Sequence, residues 1–268
     1  MTPELYDAFA PHVLSVLIVF SRIGGLFLLA PILGGESVPR RVRLLLALAL
    51  TLVVYPTLPI AAQLPVEPDM VSLIPILATE TLIGLSIGAL ATLPVLAVQA
   101  GGQFISQQMA LGIASVFDPT TNANSDLIGQ ALTFILLTIF LAMGGLELML
   151  GAVVHTFTLV PLGGFTFAEA PLELFVALMV AAYEVAVRIA APVVCIIFVE
   201  TLASGMIMKT VPQLNILSFG FPVKILVGMG MLVGSLVYVD EALDGLVERS
   251  LGDISEWAAT LRMGVSGG

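Results

Sequence analysis

Glu184 and Arg188 stand four residues apart within an apolar run, so a helix would place them on one face with the acid ahead of the base. Ionisable groups in such a run are candidates for an ion or proton path. The same pair could instead be a neutralised contact holding helices together. Glu200 lies further along the run and, like Glu147, falls near an end or break of an apolar stretch, where water can reach it. Arg22 interrupts the first apolar stretch. It is placed either to guard a pore or to meet a carboxylate, such as Glu80 or one on a partner subunit. His12 and His155 are isolated, with no second ligand at metal spacing, so no metal site is expected. The chain has no Gly-rich phosphate loop with its Lys, which argues against an ATPase, and Ser204-Gly205 lacks a paired His or Lys for a protease. No catalytic residue and no cofactor is assigned.

These charges are sparse. Of 268 residues, 59% are hydrophobic and 10% charged, whereas a soluble domain carries about 25% charged residues. A water-facing surface cannot be built from this composition, but a lipid-facing one can. The net charge of −10 argues against nucleic acid. Its distribution is uneven: Arg40, Arg41 and Arg43 form a basic cluster, while Asp240, Glu241, Asp244, Glu248, Asp253 and Glu256 crowd the C-terminal part. Cys195 is the sole cysteine, so no intrachain disulfide is expected. Met1-Thr2-Pro3-Glu4 lacks the positive start of a cleaved signal peptide, so the first apolar segment is expected to be retained.

The elements that must position these charges follow from apolar length, since a spanning helix needs about 20 residues. Candidate spans run from Phe9 to Leu33, Leu44 to about Pro59, Met70 to Ala100, Leu127 to about Val154, Leu172 to Gly205, and about Ile216 to Val239. Pro75 and Pro94 are potential kinks in the third, and Gly144-Gly145 crosses the fourth. Gly84/Gly88 and Gly230/Gly234 are small-residue pairs that let helix backbones approach closely. From Asp240 to Arg262, Leu243, Leu246, Val247, Leu251 and Ile254 recur at helical spacing among acids, which predicts an amphipathic helix. The expected fold is all-α: a polytopic membrane bundle of kinked hydrophobic helices, with about six spans plus that C-terminal helix. Residues 1–268 form one domain with an acidic tail at 240–268. Basic residues put the Arg40–Arg43 connection and the Lys209–Lys224 connection in the cytoplasm, and both termini on the other side.

Residues 101–126 fit neither pattern. Gln103, Gln107, Gln108, Asp118, Pro119, Asn122 and Asn124 alternate with Met109, Ile113, Val116 and Phe117. The stretch is too polar to span and too apolar for a solvent loop. Met206, Met208, Met229 and Met231 read as packing residues, whereas Met109 in this setting could conform to a narrow, irregular seal.

Three stretches together carry a resemblance. The first is Arg22-Ile23-Gly24 through Ala30-Pro31 and Gly34 to Val38-Pro39-Arg40-Arg41-Val42-Arg43. The second is Gly102-Gln103-Phe104-Ile105-Ser106-Gln107-Gln108-Met109, followed by Phe117-Asp118-Pro119. The third is Gly205-Met206-Ile207-Met208-Lys209, Val211-Pro212-Gln213-Leu214-Asn215 and Gly220-Phe221-Pro222-Val223-Lys224. In order and spacing, over about residues 10 to 250, they resemble the flagellar FliR family and its virulence type III secretion counterpart.

The resemblance implies a non-enzymatic subunit of the bacterial inner-membrane export gate, at the flagellar basal body. There one copy would assemble with several copies of FliP- and FliQ-like proteins, and with an FlhB-like subunit, to pass unfolded flagellar proteins. It implies a plug in the closed pore at about Ser106 to Asn124, with Phe104, Gln107, Met109, Ile113, Phe117 and Asp118 as its gate residues. Arg40, Arg41 and Arg43, with the Lys209, Pro212, Gln213, Asn215 and Lys224 turn, would sit near the substrate entrance. The residues fit such a plug: Gly101, Gly102 and Gly112 allow unusual backbone angles, and the apolar side chains can block passage. The alternative is a secondary ion or small-molecule transporter using Glu184, Arg188 and Glu200. In an assembly of this kind, six hydropathy spans can overstate the number that cross the bilayer.

Overall fold

The apolar runs form helices whose ends follow local chemistry. The computed structural model describes residues 3–35, 38–58, 70–111, 126–163, 172–211, 219–235, 244–245, 247–250 and 252, and among these there is no β-strand. Helix α1 is Pro3–Leu29, α2 Arg40–Val54, α3 Met70–Gln108, α4 Leu127–Ala142, α5 Gly145–Leu159 and α6 Leu172–Thr210. Helix α7 is Phe221–Ser235. Helices α1, α5 and α6 each stop two residues before a proline, at Pro31, Pro161 and Pro212. Proline disfavours helical geometry in the residue before it. Asp126 begins α4 by accepting the Gly129 amide on its carboxylate at 2.9 Å, an N-cap.

About six spans were expected; the described residues contain three helices long and apolar enough to cross a membrane. These are His12–Leu29, Leu73–Gln108 and Met179–Thr210, with a fourth if α4 and α5 count as one. Gly144, at φ 71°, breaks that pair. The expected second span forms only the 15 residues of α2, which ends in a 3-10 turn at Tyr55–Thr57. At about 1.5 Å per residue such a helix is well short of a bilayer core of about 30 Å. The described part of α7, also 15 residues, has the same shortfall. By contrast α3 and α6 reach 39 residues each. Hydropathy measures apolar length and does not register where a helix is interrupted.

The chain forms two compact units: Met1–Leu93, Met143–Ala177 and Arg249–Gly268 make one, and Pro94–Ala142 with Leu178–Glu248 the other. In the first, α2 packs on α1 through the stripe Ala47, Thr51 and Val54. Helix α1 also lies against the first part of α3. Ser21 donates to the Leu77 carbonyl at 2.8 Å, and Thr92 donates to the Leu29 carbonyl. Residue numbers rise together along this contact, so the two helices run parallel. Their backbones nearly touch: a Cβ on Gly84 would lie 1.9 Å from the Arg22 carbonyl oxygen, and one on Gly25 2.3 Å from that of Thr81. The Gly84/Gly88 pair thus receives α1, whereas a Cβ on Gly230 or Gly234 would meet nothing within 4 Å among the described residues.

In the second unit the end of α3 meets α4 and α6. A Cβ on Gly102 would lie 2.2 Å from the Cα of Gly129, and one on Gly101 2.9 Å from the Ala186 carbonyl oxygen. Of the expected C-terminal amphipathic helix, the described residues are helical, with Val247 and Ser250 buried and Glu248 and Arg249 exposed. Leu243, Leu246, Leu251 and Ile254 lie outside the described residues.

Candidate functional site

In the first unit, Arg22 and Glu80 are both fully buried, and Arg22 Nε donates to Glu80 Oε2 at 2.6 Å. Of the partners open to Arg22, Glu80 is the one it meets. The rest of the guanidinium is also satisfied: Nη1 donates to Thr156 Oγ1 at 3.1 Å and Nη2 to the Val160 carbonyl at 3.4 Å. Its carbon lies 4.2 Å from the centre of the Phe157 ring. The second Glu80 oxygen accepts the Gly163 amide at 2.8 Å. One ion pair therefore pins α1, α3, α5 and the turn after α5. A buried charge needs this degree of pairing. Thr156, Phe157 and Gly163 carry no local signal that marks them as its neighbours.

Glu184 and Arg188 pair at 2.6 Å, with side chains 59% and 71% exposed. The bond joins two turns of α6 and links no second helix. Glu200 was expected near an end of an apolar stretch, within reach of water; it is instead buried, because it lies on the same face of α6 as the buried Val193, Ile197 and Ser204. One of its oxygens accepts from Ser204, and the other is buried with no hydrogen-bond partner among the described residues. Glu147 is exposed in the first turn of α5, where an acid suits the helix dipole.

The basic connection divides. Arg40 and Arg41 are exposed at the start of α2, whereas Arg43 folds back onto the turn after α1. Its Nη2 donates to the carbonyls of Gly34 and Gly35 at 3.0 and 2.8 Å. Arg43 is thus spent on shaping the turn. Lys209 is exposed in the last turn of α6, and Lys224 is half-buried at the start of α7; Pro212, Gln213 and Asn215 lie outside the described residues.

The first part of the 101–126 stretch is not a separate segment, since α3 continues through Gln108. It has two faces. Gly101, Gly102, Ile105, Ser106 and Met109 are buried, while Gln103, Phe104, Gln107 and Gln108 are exposed. Leu111 donates its amide to the Ser106 carbonyl and Ala110 to that of Gln107, each at 3.1 Å. This double bond pattern closes a helix with a left-handed residue, usually glycine. Here the residue is Ala110, at φ 59°. The unusual backbone angle thus falls on an alanine, while Gly101 and Gly102 serve close packing.

Met109 is fully buried, seated against α7 and α6: a Cβ on Gly228 would lie 2.8 Å from its Cγ and 3.1 Å from Ile197 Cδ1. Ser106 donates to the Asp126 cap at 3.1 Å, so the residues on either side of 112–125 are tied together. Asp126, an acid directly before an apolar run, carries a legible cap signal; Gly228 carries none. Ile113, Phe117 and Asp118 lie outside the described residues.

Comparison with known proteins bears on this arrangement. The family model for bacterial export proteins, family 1, matches residues 13–250. The flagellar biosynthetic protein FliR of Bacillus subtilis (strain 168) is 33% identical over 233 residues, covering 86% of this chain and 86% of that protein. The flagellar biosynthetic protein FliR of Escherichia coli (strain K12) is 31% identical over 214 residues, 79% of this chain and 80% of that one. The Yop proteins translocation protein T of Yersinia pestis is 28% identical over 187 residues, 69% of this chain and 71% of that one. With apolar helices long enough to cross a membrane and a family match over most of its length, the chain belongs to the FliR family of bacterial export proteins.

Proposed function

We propose that the whole chain, residues 1–268, is one subunit of the flagellar type III protein export gate in the bacterial inner membrane. It supplies helix scaffold, part of the pore lining and a plug, and performs no catalysis. The observation that carries this reading is the two-faced end of α3. Its buried face is seated on α4, α6 and α7, while its exposed face is three glutamines and Phe104 in a chain that is 59% hydrophobic. Exposed amides are a poor match for lipid and a good match for a wet, enclosed passage. In sequence that face is followed by residues 112–125, the remainder of the plug stretch with Ile113, Phe117 and Asp118. Two flagellar relatives at 33% and 31% identity, over 86% and 79% of this chain, support the flagellar assignment, while other flagellar relatives at 26–27% lie beside the Yersinia protein's 28%.

In this reading the partners are FliP- and FliQ-like subunits and an FlhB-like subunit, and the cargo is unfolded flagellar protein. Arg40 and Arg41 with Lys209, Pro212, Gln213, Asn215 and Lys224 lie toward the cytoplasmic entrance. Extraction of the full chain from membranes in mild detergent is expected to bring down FliP- and FliQ-like proteins. Recovery of the chain alone would count against the assignment. The transporter reading has less support, because Glu184 and Arg188 close on each other at an exposed face while Glu200 is buried with Ser204. Coupled solute uptake by the purified chain in liposomes, without partners, would reverse that preference.

A further inference from the structure

Pro94 lies inside α3 and has no N–H, so the Leu90 carbonyl lacks its normal helical donor. The site is buried, and a carbonyl left without a donor there is costly. The donor comes from the far end of the chain: Ser250 Oγ lies 3.0 Å from the Leu90 carbonyl oxygen and is 4% exposed. Val247, one turn before it, is fully buried, while Glu248 and Arg249 are exposed. A single face of the C-terminal segment therefore turns inward, with the hydroxyl at the position of the missing amide.

We propose that Ser250 is a positioning residue that replaces the amide Pro94 lacks, and so anchors the C-terminal segment on α3. The test is hydrogen–deuterium exchange on the full chain, purified with whatever partners it retains, read on the amides of residues 247–250. Ser250→Ala is expected to speed exchange roughly tenfold, the size set by one unsatisfied buried carbonyl. Ser250→Thr, which keeps the hydroxyl, should stay within about twofold. In a Pro94→Ala background, where the amide is restored, Ser250→Ala should also change exchange by no more than about twofold. Unchanged exchange in Ser250→Ala, equal effects of Ala and Thr, or a full tenfold effect in the Pro94→Ala background would each overturn the proposal. If Ser250→Ala does not accumulate, accumulation of Ser250→Thr supports the proposal and loss of both overturns it.

Discussion

The two parts of α3 use one helix for opposite purposes. From Met70 to Leu93 the helix is committed to its own unit: Glu80 is spent on Arg22, Gly84 admits the α1 backbone, and Thr81 and Thr92 bond across to α1. From Pro94 to Gln108 only one face is committed, and the other presents Gln103, Phe104, Gln107 and Gln108. The two ion pairs repeat the contrast. At the same 2.6 Å, Arg22–Glu80 is fully buried and ties together α1, α3, α5 and the turn after α5, whereas Glu184–Arg188 is mostly exposed on a single helix. Length of bond says little about what a pair contributes; desolvation and the number of elements joined decide it.

The contrast can be broken most severely at Arg22. Arg22→Ala or Glu80→Ala strands a buried charge and should destabilise the chain by about 3–5 kcal/mol. The expected readout is loss of membrane-inserted protein, with the double Arg22→Met/Glu80→Met variant recovering part of it. Gly84→Val comes next. Its side chain must displace the Arg22 backbone, which overpacks the α1–α3 contact by about 1–3 kcal/mol and should lower the unfolding temperature in detergent. At the other end of α3, Asp126→Ala removes both the α4 cap and the Ser106 tie, a loss of about 1 kcal/mol. Its stability effect should be smaller than that of Gly84→Val, but its effect on export should be larger. Neutralising Glu184 and Arg188 together should shift stability by about 0.5 kcal/mol or less. A large loss of export from that double variant would sharpen the contrast differently, by giving the exposed pair a partner.

Much of the first region was legible in sequence, because its chemistry is local or type-specific. An Arg in an apolar run demands a carboxylate, and Glu80 is the acid of the third run. Glu184 and Arg188 are paired by helical spacing alone. What escaped the sequence is long-range packing. Met109 stood out in sequence from the other methionines, but its seat at Gly228 did not, because that depends on how α7 returns to α3 and α6. The number of spans was only partly legible: Gly144-Gly145 was read as crossing the fourth run, but that a left-handed turn there and a 3-10 turn at Tyr55–Thr57 end the helices is set by conformation inside apolar sequence. Burial of Glu200 escaped because which face of α6 turns inward, the one carrying Val193, Ile197 and Ser204, depends on packing with other helices.

The proposed gate is tested most directly by ion leak across the inner membrane of cells carrying the assembled apparatus. Deleting residues 112–124 leaves Ser106, Met109, Asp126 and both helix contacts in place, so the subunit still has its seat. The expected result is normal assembly, judged by co-purification, with a membrane that leaks ions and loses potential. An assembled variant that leaks nothing and exports flagellar proteins normally would contradict the plug.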